Sequence, residues 1–495
     1  MTLIAGGVVL VQSETTFEII SKIEVRLLFR RMARMTRRSW AITVPFLVLI
    51  GATSNAQVDH RRAHANWIDQ YREPAARLIG EATGSTFAWQ RLAVLTDTIG
   101  NRFSGTPALD RAIQWAVGEM KRDGLENVHT ETVTVPRWVR GAESAEIVSP
   151  APHPIVMLGL GDSVGTPPGG LEADVLVVHG FEDLDARAAQ ARGRIVLFNV
   201  PFTNYGETVR FRSTGPSRAA RHGAVAMLIR AVGPPGLRTP HTGALQYSAD
   251  VAQIPAAAIA TEDADRLQRM SDRGDRVVVR LRMEAHFEPD VESANVVGEI
   301  RGRERPDEIV VVSGHLDSWD VGAGATDDGG GCVVTWEAVR LMKKLNLRPR
   351  RTVRVVLWTN EENGGRGGLA YRDQHRAELG KHVLMLESDS GVFRPLGFGF
   401  SGSDSARETV QTIATLLSGI AADQISTGGG GADIGPSVQE ARIAAMSLEV
   451  DGSKYFLIHH TPADTVDKID PVEMAKCAAT VAVMAYVVAD LPNRL

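Results

Sequence analysis

An α/β fold is what this sequence predicts: a mixed, largely parallel sheet flanked by helices, interrupted by an inserted domain that is mostly β. Three observations lead there. From Glu292 onward, short β-branched runs alternate with amphipathic stretches, the rhythm of a parallel or mixed sheet with helices on both faces. Residues 141–285 break that rhythm, with β-branched runs set between Gly/Pro-rich turns. A chain of 495 residues also exceeds one ordinary core, so more than one domain is expected. The boundaries read as 1–56 for a leader, 57–140 for the first part of the main domain, 141–285 for the insert and 286–495 for the remainder of the main domain.

The leader differs in texture from the rest. Met35-Thr36-Arg37-Arg38 opens a basic stretch, residues 40–51 are apolar, and Ala52-Thr53-Ser54-Asn55-Ala56 offers small residues for cleavage after Ala56. That is the layout of a secretory signal, too short for an ordinary transmembrane span. The expectation is an exported chain, secreted or periplasmic, with no stable membrane insertion after cleavage. Residues before Met32 or Met35 read as an upstream extension. Removing residues 1–56 takes Lys/Arg from 54 to 47 and Asp/Glu from 59 to 56, so the formal charge moves from -5 to -9. This acidic balance speaks against nucleic-acid binding, whose footprint is basic. Cys332 and Cys477 fall on two separate predicted helices, so no disulfide framework is expected.

Along the chain, residues 58–84 and 87–95 read as polar surface helices. A loop from 98 to 107 leads into an amphipathic helix over 107–122, with Ala112, Ile113, Trp115, Ala116, Val117 and Met120 as its apolar set and Gly124 as its stop. Residues 128–135 alternate as a strand does. Strands are expected in the insert at 173–178, 194–200, 224–229, 254–259 and 276–281. Beyond it, strands at 309–313, 353–359, 383–387 and 444–449 alternate with helices at 330–344, 369–379, 407–417 and 471–489. The last helix starts on Pro471, as helix starts allow.

The residues that can hold a metal sit after those strands. His315 and Asp317 follow the strand 309–313 in S-G-H-L-D-S-W-D-V-G-A-G-A-T-D-D-G-G-G, whose glycines let the backbone fold tightly around Asp327 and Asp328. Glu361 and Glu362 follow 353–359, Asp389 follows 383–387, and His460 lies beyond 444–449. In an open α/β sheet the carboxyl ends of the strands share one crevice, so groups scattered over about 150 residues converge there. One such side chain alone is an ordinary loop residue; four loaded strand ends point to metal. One imidazole and one carboxylate per ion, plus a shared carboxylate, would give each of two zinc ions three protein ligands and room for water. Two close divalent ions acidify that water and hold both the nucleophile and the polarised carbonyl oxygen. A further carboxylate must then move the proton, and the pair Glu361-Glu362 offers one ligand and one base.

The motifs G-H-L-D-S-W-D, G-A-T-D-D-G-G-G, N-E-E-N-G, E-S-D-S-G and H-H-T-P-A-D-T together resemble the zinc peptidases of the M28 family, in its glutamate carboxypeptidase branch. The likeness runs from about residue 93, through I-G-N-R-F-S-G-T, to the C-terminus. The insert resembles a protease-associated (PA) domain in A-R-G-R-I-V-L-F and A-A-R-H-G-A-V-A-M-L-I. The resemblance implies a phosphorylase/hydrolase-like fold and two Zn2+ per chain. It implies that Asp327 bridges the ions, that His315 and Asp389 complete one site, and that Glu362 and His460 complete the other. Glu361 would be the general base and Asp317 would orient His315. His459 and Asp328 fit the same motifs one residue out, and Asp464 reads as pinning the turn after His460. The resemblance also suggests a homodimer.

The expected function is therefore an exported di-zinc exopeptidase acting on short peptides or dipeptides, with a hydroxide bridging the metals and Glu361 as base. Two other readings fit the same scaffold: a glutaminyl cyclase using one zinc, and a receptor-like protein on an inactive site. The complete set of ligand positions favours hydrolysis. Gly428 to Gly431 with Asp433 either borders the substrate's free terminus or is a plain Gly-rich loop. Tyr455 either donates to the oxyanion or packs beside Phe456, and Trp319 either lines the pocket or packs the loop. The insert carries no His-carboxylate cluster of its own and is expected to shape access or bind a partner.

Overall fold

The computed structural model describes residues 67–495. The leader, the expected cleavage after Ala56 and the beginning of the first helix lie outside the described residues. Two eight-stranded sheets organise what is described. β1 (Glu126–Val139) opens the first sheet. The second holds β2 (Glu143–Ser149), β3 (His153–Ile155), β4 (Met157–Gly159), β5 (Leu171–Val178), β6 (Ile195–Phe198), β7 (Ala226–Arg230), β8 (Ala256–Ile259) and β9 (Val278–Met283). The chain then returns to the first sheet with β10 (His286–Ile300), β11 (Arg305–His315), β12 (Arg351–Trp358), β13 (His382–Glu387), β14 (Pro395–Ser401), β15 (Gln424–Thr427) and β16 (Ala444–Val450).

The first sheet runs β1-β10-β12-β11-β13-β16-β14-β15 and is mixed, with β12, β11, β13 and β16 parallel at its centre. The middle of β11 and of β13 is a continuous apolar run because both faces are covered. Val310, Val311 and Val312 of β11 and Leu384, Met385 and Leu386 of β13 are all fully buried. The helices Gly330–Lys344 and Pro471–Asp490 pack on each other and on β11 and β12. On another layer Tyr371 and Ile434 join Val297, Ile309, Val311 and Val356 in one core. The helix Pro471–Asp490 is long and apolar enough to cross a membrane, yet 83% of its apolar window is buried inside the protein. It is apolar all round because it is surrounded.

β1 and β10 form a long antiparallel ribbon whose far end pairs Val139 with His286. The chain thus leaves for the second sheet and returns from it at neighbouring points. The second sheet runs β3-β2-β9-β5-β6-β7-β8-β4, with β5, β6, β7 and β8 parallel. The strands expected in the insert correspond to β5 to β9. The mostly β expectation needs amending in one respect. The helices Phe181–Ala186, Tyr205–Ser213, Gly215–Arg221 and Thr261–Asp272 interleave with these strands and help cover the sheet.

Local signals explain the better-defined elements. The helix Pro107–Arg122 spans the predicted range, with Thr106 accepting from Leu109 N–H as its cap and Gly124 at φ +75 beyond its end. The helix expected at 369–379 instead runs Arg366–Gln374. It stops where His375 bridges two carboxylates, with Nδ1 2.5 Å from Glu378 Oε1 and Nε2 2.7 Å from Glu131 Oε1. β14 and β15 were not anticipated, the first being interrupted by Pro395, Gly397 and Gly399 and the second only four residues long.

The His375 bridge ties β1 to the sheet's helical layer. Burial opposes a charge on His375, but Glu131 and Glu378 outweigh it and raise the pKa. A folded pKa above the unfolded one gives stability that is complete below about pH 6.5 and fades as pH rises through the folded value. His375→Gln is expected to lower the unfolding free energy by about 1–3 kcal/mol at pH 6 and by less at pH 9. Denaturant titrations at the two pH values check this, and an equal loss at both would contradict it.

Candidate metal centre

The residues singled out from the strand ends converge at the carboxyl edge of the central parallel strands. Their backbone is held by buried polar groups. Arg102, fully buried, donates from Nε to Leu316 O (2.7 Å), from Nη1 to Gly100 O (2.9 Å) and Ala323 O (2.8 Å), and from Nη2 to Gly324 O (2.7 Å). One guanidinium thereby fixes both ends of the loop between His315 and Asp327. Asp464 accepts the N–H groups of Thr326 (2.7 Å) and Asp327 (3.1 Å), so it pins the Asp327 loop, which the sequence reading placed instead at the turn after His460. Asp328 turns away from the centre and accepts the N–H groups of His315 and Gly331, each at 3.1 Å. A Cβ at Gly331 would lie 1.9 Å from Ser388 O, so only glycine fits there.

Asp327 stands at the middle. Its Oδ1 lies 3.2 Å from His315 Nε2, and its Oδ2 lies 3.1 Å from His460 Nε2. Each imidazole meets a second carboxylate, with Asp389 Oδ1 3.4 Å from His315 Nε2 and Glu362 Oε2 3.2 Å from His460 Nε2. His459 Nε2 also reaches Asp327 Oδ2, at 3.4 Å, and its ring stacks on that of His460 with centroids 3.5 Å apart. Only His460 faces Glu362 as well, so it completes the second set better than its neighbour does. His460 adopts φ +59, an unusual conformation for a side chain with a Cβ, and one that the contacts around it must hold.

The donor set suits cations. His315 Nδ1 lies 3.0 Å from the main-chain oxygen of Asp317, and His460 Nδ1 lies 3.2 Å from that of Thr242. A carbonyl only accepts, so Nδ1 carries a proton in both rings, which leaves Nε2 as the atom that would ligate a cation once it gives up its own proton. His315 Nε2, Asp327 Oδ2 and Glu362 Oε1 are buried without a hydrogen-bond partner. Buried polar atoms left in this state call for a partner such as an ion. These atoms are the nitrogen and oxygen ligands that zinc takes. Trp319 Nε1 donates to His460 Nε2 (3.2 Å), where it competes with a cation for that lone pair.

The electrostatics follow from crowding. Burial opposes charge on His315, yet Asp389 and Asp327 push its pKa well up. Burial would raise Asp327, but the bonds from His315 and His460 hold it well below the usual carboxylate range. Glu362 is pushed up to about 7 by burial and then by Asp327. Glu361 rises well above its ordinary value, chiefly through burial, which His315 opposes and Asp389, Glu362 and Asp317 reinforce.

Asp317 differs from its expected role in detail. Its carboxylate accepts the N–H groups of Glu361 (3.1 Å) and Glu362 (3.3 Å), while His315 Nδ1 is 3.9 Å from that carboxylate and bonds the Asp317 carbonyl. Asp433 is buried under the Gly-rich loop with both carboxylate oxygens unpartnered, and Glu387 receives the N–H groups of Asp433 and Ile434. Tyr455 packs with Phe393 and Ile458, its ring 4.9 Å from that of His459. Trp319 packs on Phe103, with ring centroids 5.0 Å apart. Arg102 and Thr242 were missed by the sequence reading. For Arg102 the loop motif I-G-N-R-F-S-G-T was the available signal; for Thr242, which contributes a main-chain carbonyl, there was none.

Known proteins resemble this chain in sequence and in structure. The model of Peptidase family M28 matches residues 295–485. Carboxypeptidase Q of Mus musculus is 46% identical over 431 residues, covering 86% of this chain and 92% of that protein. A peptidase M28 precursor from Shewanella amazonensis aligns in structure with a TM-score of 0.82 at 36% identity, covering 86% of this chain and 98% of that one. The zinc aminopeptidase BSAP from Bacillus subtilis shares the fold, with a TM-score of 0.62 at 22% identity over 82% of this chain and 96% of that one. Fold, site and relatives together define a zinc-dependent exopeptidase. The chain belongs to peptidase family M28.

Arg102→Met is expected to lower stability by about 2–4 kcal/mol, since four main-chain carbonyls lose a charged donor, and to reduce bound zinc. Thermal melting and metal analysis of the variant check it; parent-like zinc content would contradict the role given to this loop.

Proposed function

We propose that the chain is an exported di-zinc exopeptidase that hydrolyses short peptides or dipeptides, releasing the C-terminal residue. The observation that carries this reading is Asp327, each of whose oxygens faces a different imidazole backed by its own second carboxylate. His315, Asp327 and Asp389 would hold one zinc ion, and His460, Asp327 and Glu362 the other. A zinc pair, when bound, polarises the scissile carbonyl and acidifies the attacking water. Glu361, adjacent to a ligand and raised in pKa by its surroundings, takes the proton from that water and hands it to the leaving amine. Asp317 keeps Glu361 and Glu362 in register by receiving their N–H groups. The name carboxypeptidase Q borne by the mouse relative supports recognition of a free carboxyl terminus. The insert is read as a protease-associated domain that borders the cleft, since Asn363, next to Glu362, donates to Asp162 of the insert at 3.4 Å. Export rests on the signal-like leader.

Glu361→Gln is expected to retain two zinc ions per chain while kcat falls by about 10²–10⁴-fold. In the parent, C-amidated dipeptides are expected to resist cleavage while N-acetylated ones are cut. Metal analysis alongside this substrate panel checks both points. One zinc per chain, or a Gln variant with parent activity, would overturn the reading.

A further inference from the structure

The two halves of the centre are supported differently. His315 bonds a carbonyl of its own loop, that of Asp317 two residues on. His460 bonds the carbonyl of Thr242, which belongs to the insert between β7 and β8. The contact is reciprocal, because Thr242 N–H donates to His460 O at 3.0 Å. Two further bonds fix Thr242: its Oγ1 donates to Gly159 O of the insert (2.7 Å) and accepts from Nη2 of Arg140 (3.3 Å), the residue just before the insert.

Arg212 braces the same spot from the helix Tyr205–Ser213. Buried, it donates from Nη1 to Thr242 O (3.2 Å), from Nε to Ala244 O (3.3 Å) and from Nη2 to Tyr205 Oη (2.9 Å). Tyr205 in turn stacks on Phe456 and sets its ring edge-on to His459. Gly243 lies flat on the guanidinium, at φ +136, where a Cβ would fall 2.2 Å from Arg212 Nη1. Arg212 thus bonds the carbonyls on both sides of Gly243 and the tyrosine beside the histidine pair.

We infer that Arg212, acting through the Thr242 carbonyl, is a positioning residue for His460, so that the insert controls one of the two metal positions and leaves the other to the main sheet. This rests on the two-zinc reading of the site. His460 sits at a left-handed backbone position and meets the centre only while its Nδ1 is held, and Thr242 is the acceptor that holds it. Loosening the 242–244 loop frees the ring and weakens the His460–Glu362 position. The His315–Asp389 position has its bracing from Arg102, Asp317 and Asp328 and is untouched.

The test uses the full chain in three variants: Arg212→Met from the helix side, Gly243→Ala from the loop side, and Arg238→Met as a control. Arg238 makes an ion pair with Asp263 elsewhere in the insert. Zinc is titrated against a chelator competitor, and melting of the metal-free chains is recorded alongside. The expected result is two zinc ions in the parent and in the Arg238 variant. In the Arg212 and Gly243 variants one ion keeps parent affinity and the second weakens about 10–100-fold, the range seen when partners of metal ligands are removed. Two ions at parent affinity in both variants, or equal weakening of both ions, would overturn the inference. If an Arg212 variant fails to fold, Gly243→Ala decides alone. A parent holding one ion would instead remove the two-zinc reading beneath it.

Discussion

Everything at the centre follows from burying the carboxylate of Asp327. A buried charge needs compensation, and here it comes from imidazoles on both of its oxygens and from two N–H groups anchored by Asp464. Further carboxylates crowd the same volume: Glu361, Glu362 and Asp389, with Asp317 and Asp328 just behind. That concentration of negative charge is unfavourable for the protein alone, and the two divalent cations proposed here would relieve it. The electrostatic problem and the chemistry therefore share one solution.

The fold meets the geometric demand with neighbouring parallel strands. β11, β12 and β13 each end in a loop that presents one part of the set, and their register is secured by cores on both faces. The loops themselves have little apolar surface, so buried polar groups hold them. Arg102 grips the His315–Asp327 segment through main-chain oxygens, and the Asp317 carboxylate grips the Glu361–Glu362 segment through main-chain nitrogens. His460 is the exception, reached from a separate segment after β16 and steadied from the insert.

Much of this was legible in the sequence. β11 and β12 carry β-branched runs and β13 an apolar one, and the helix Pro107–Arg122 carries a cap, a proline start and a glycine stop. The metal-type residues stood out because each follows a recognisable strand. Other features were not legible, for physical reasons. β14 is broken by Pro395, Gly397 and Gly399 and β15 is only four residues long, so neither periodicity nor propensity marks them. The insert's helices are brief and are defined by the sheet they cover. The partners of His315 Nδ1 and His460 Nδ1 are main-chain carbonyls, which any residue could supply; their positions come from tertiary structure alone. Asp317 was expected to orient His315, but its carboxylate accepts from the next strand's loop more directly than it meets that ring.

Asp327 is proposed to bridge two zinc ions, one held with His315 and Asp389 and one with Glu362 and His460. Anomalous diffraction at the zinc edge from crystals of the zinc-loaded chain tests it most directly. Two peaks about 3.5–4 Å apart are expected, one on each side of the Asp327 carboxylate. A single peak, or a second peak coordinated by His459 in place of His460, would contradict it.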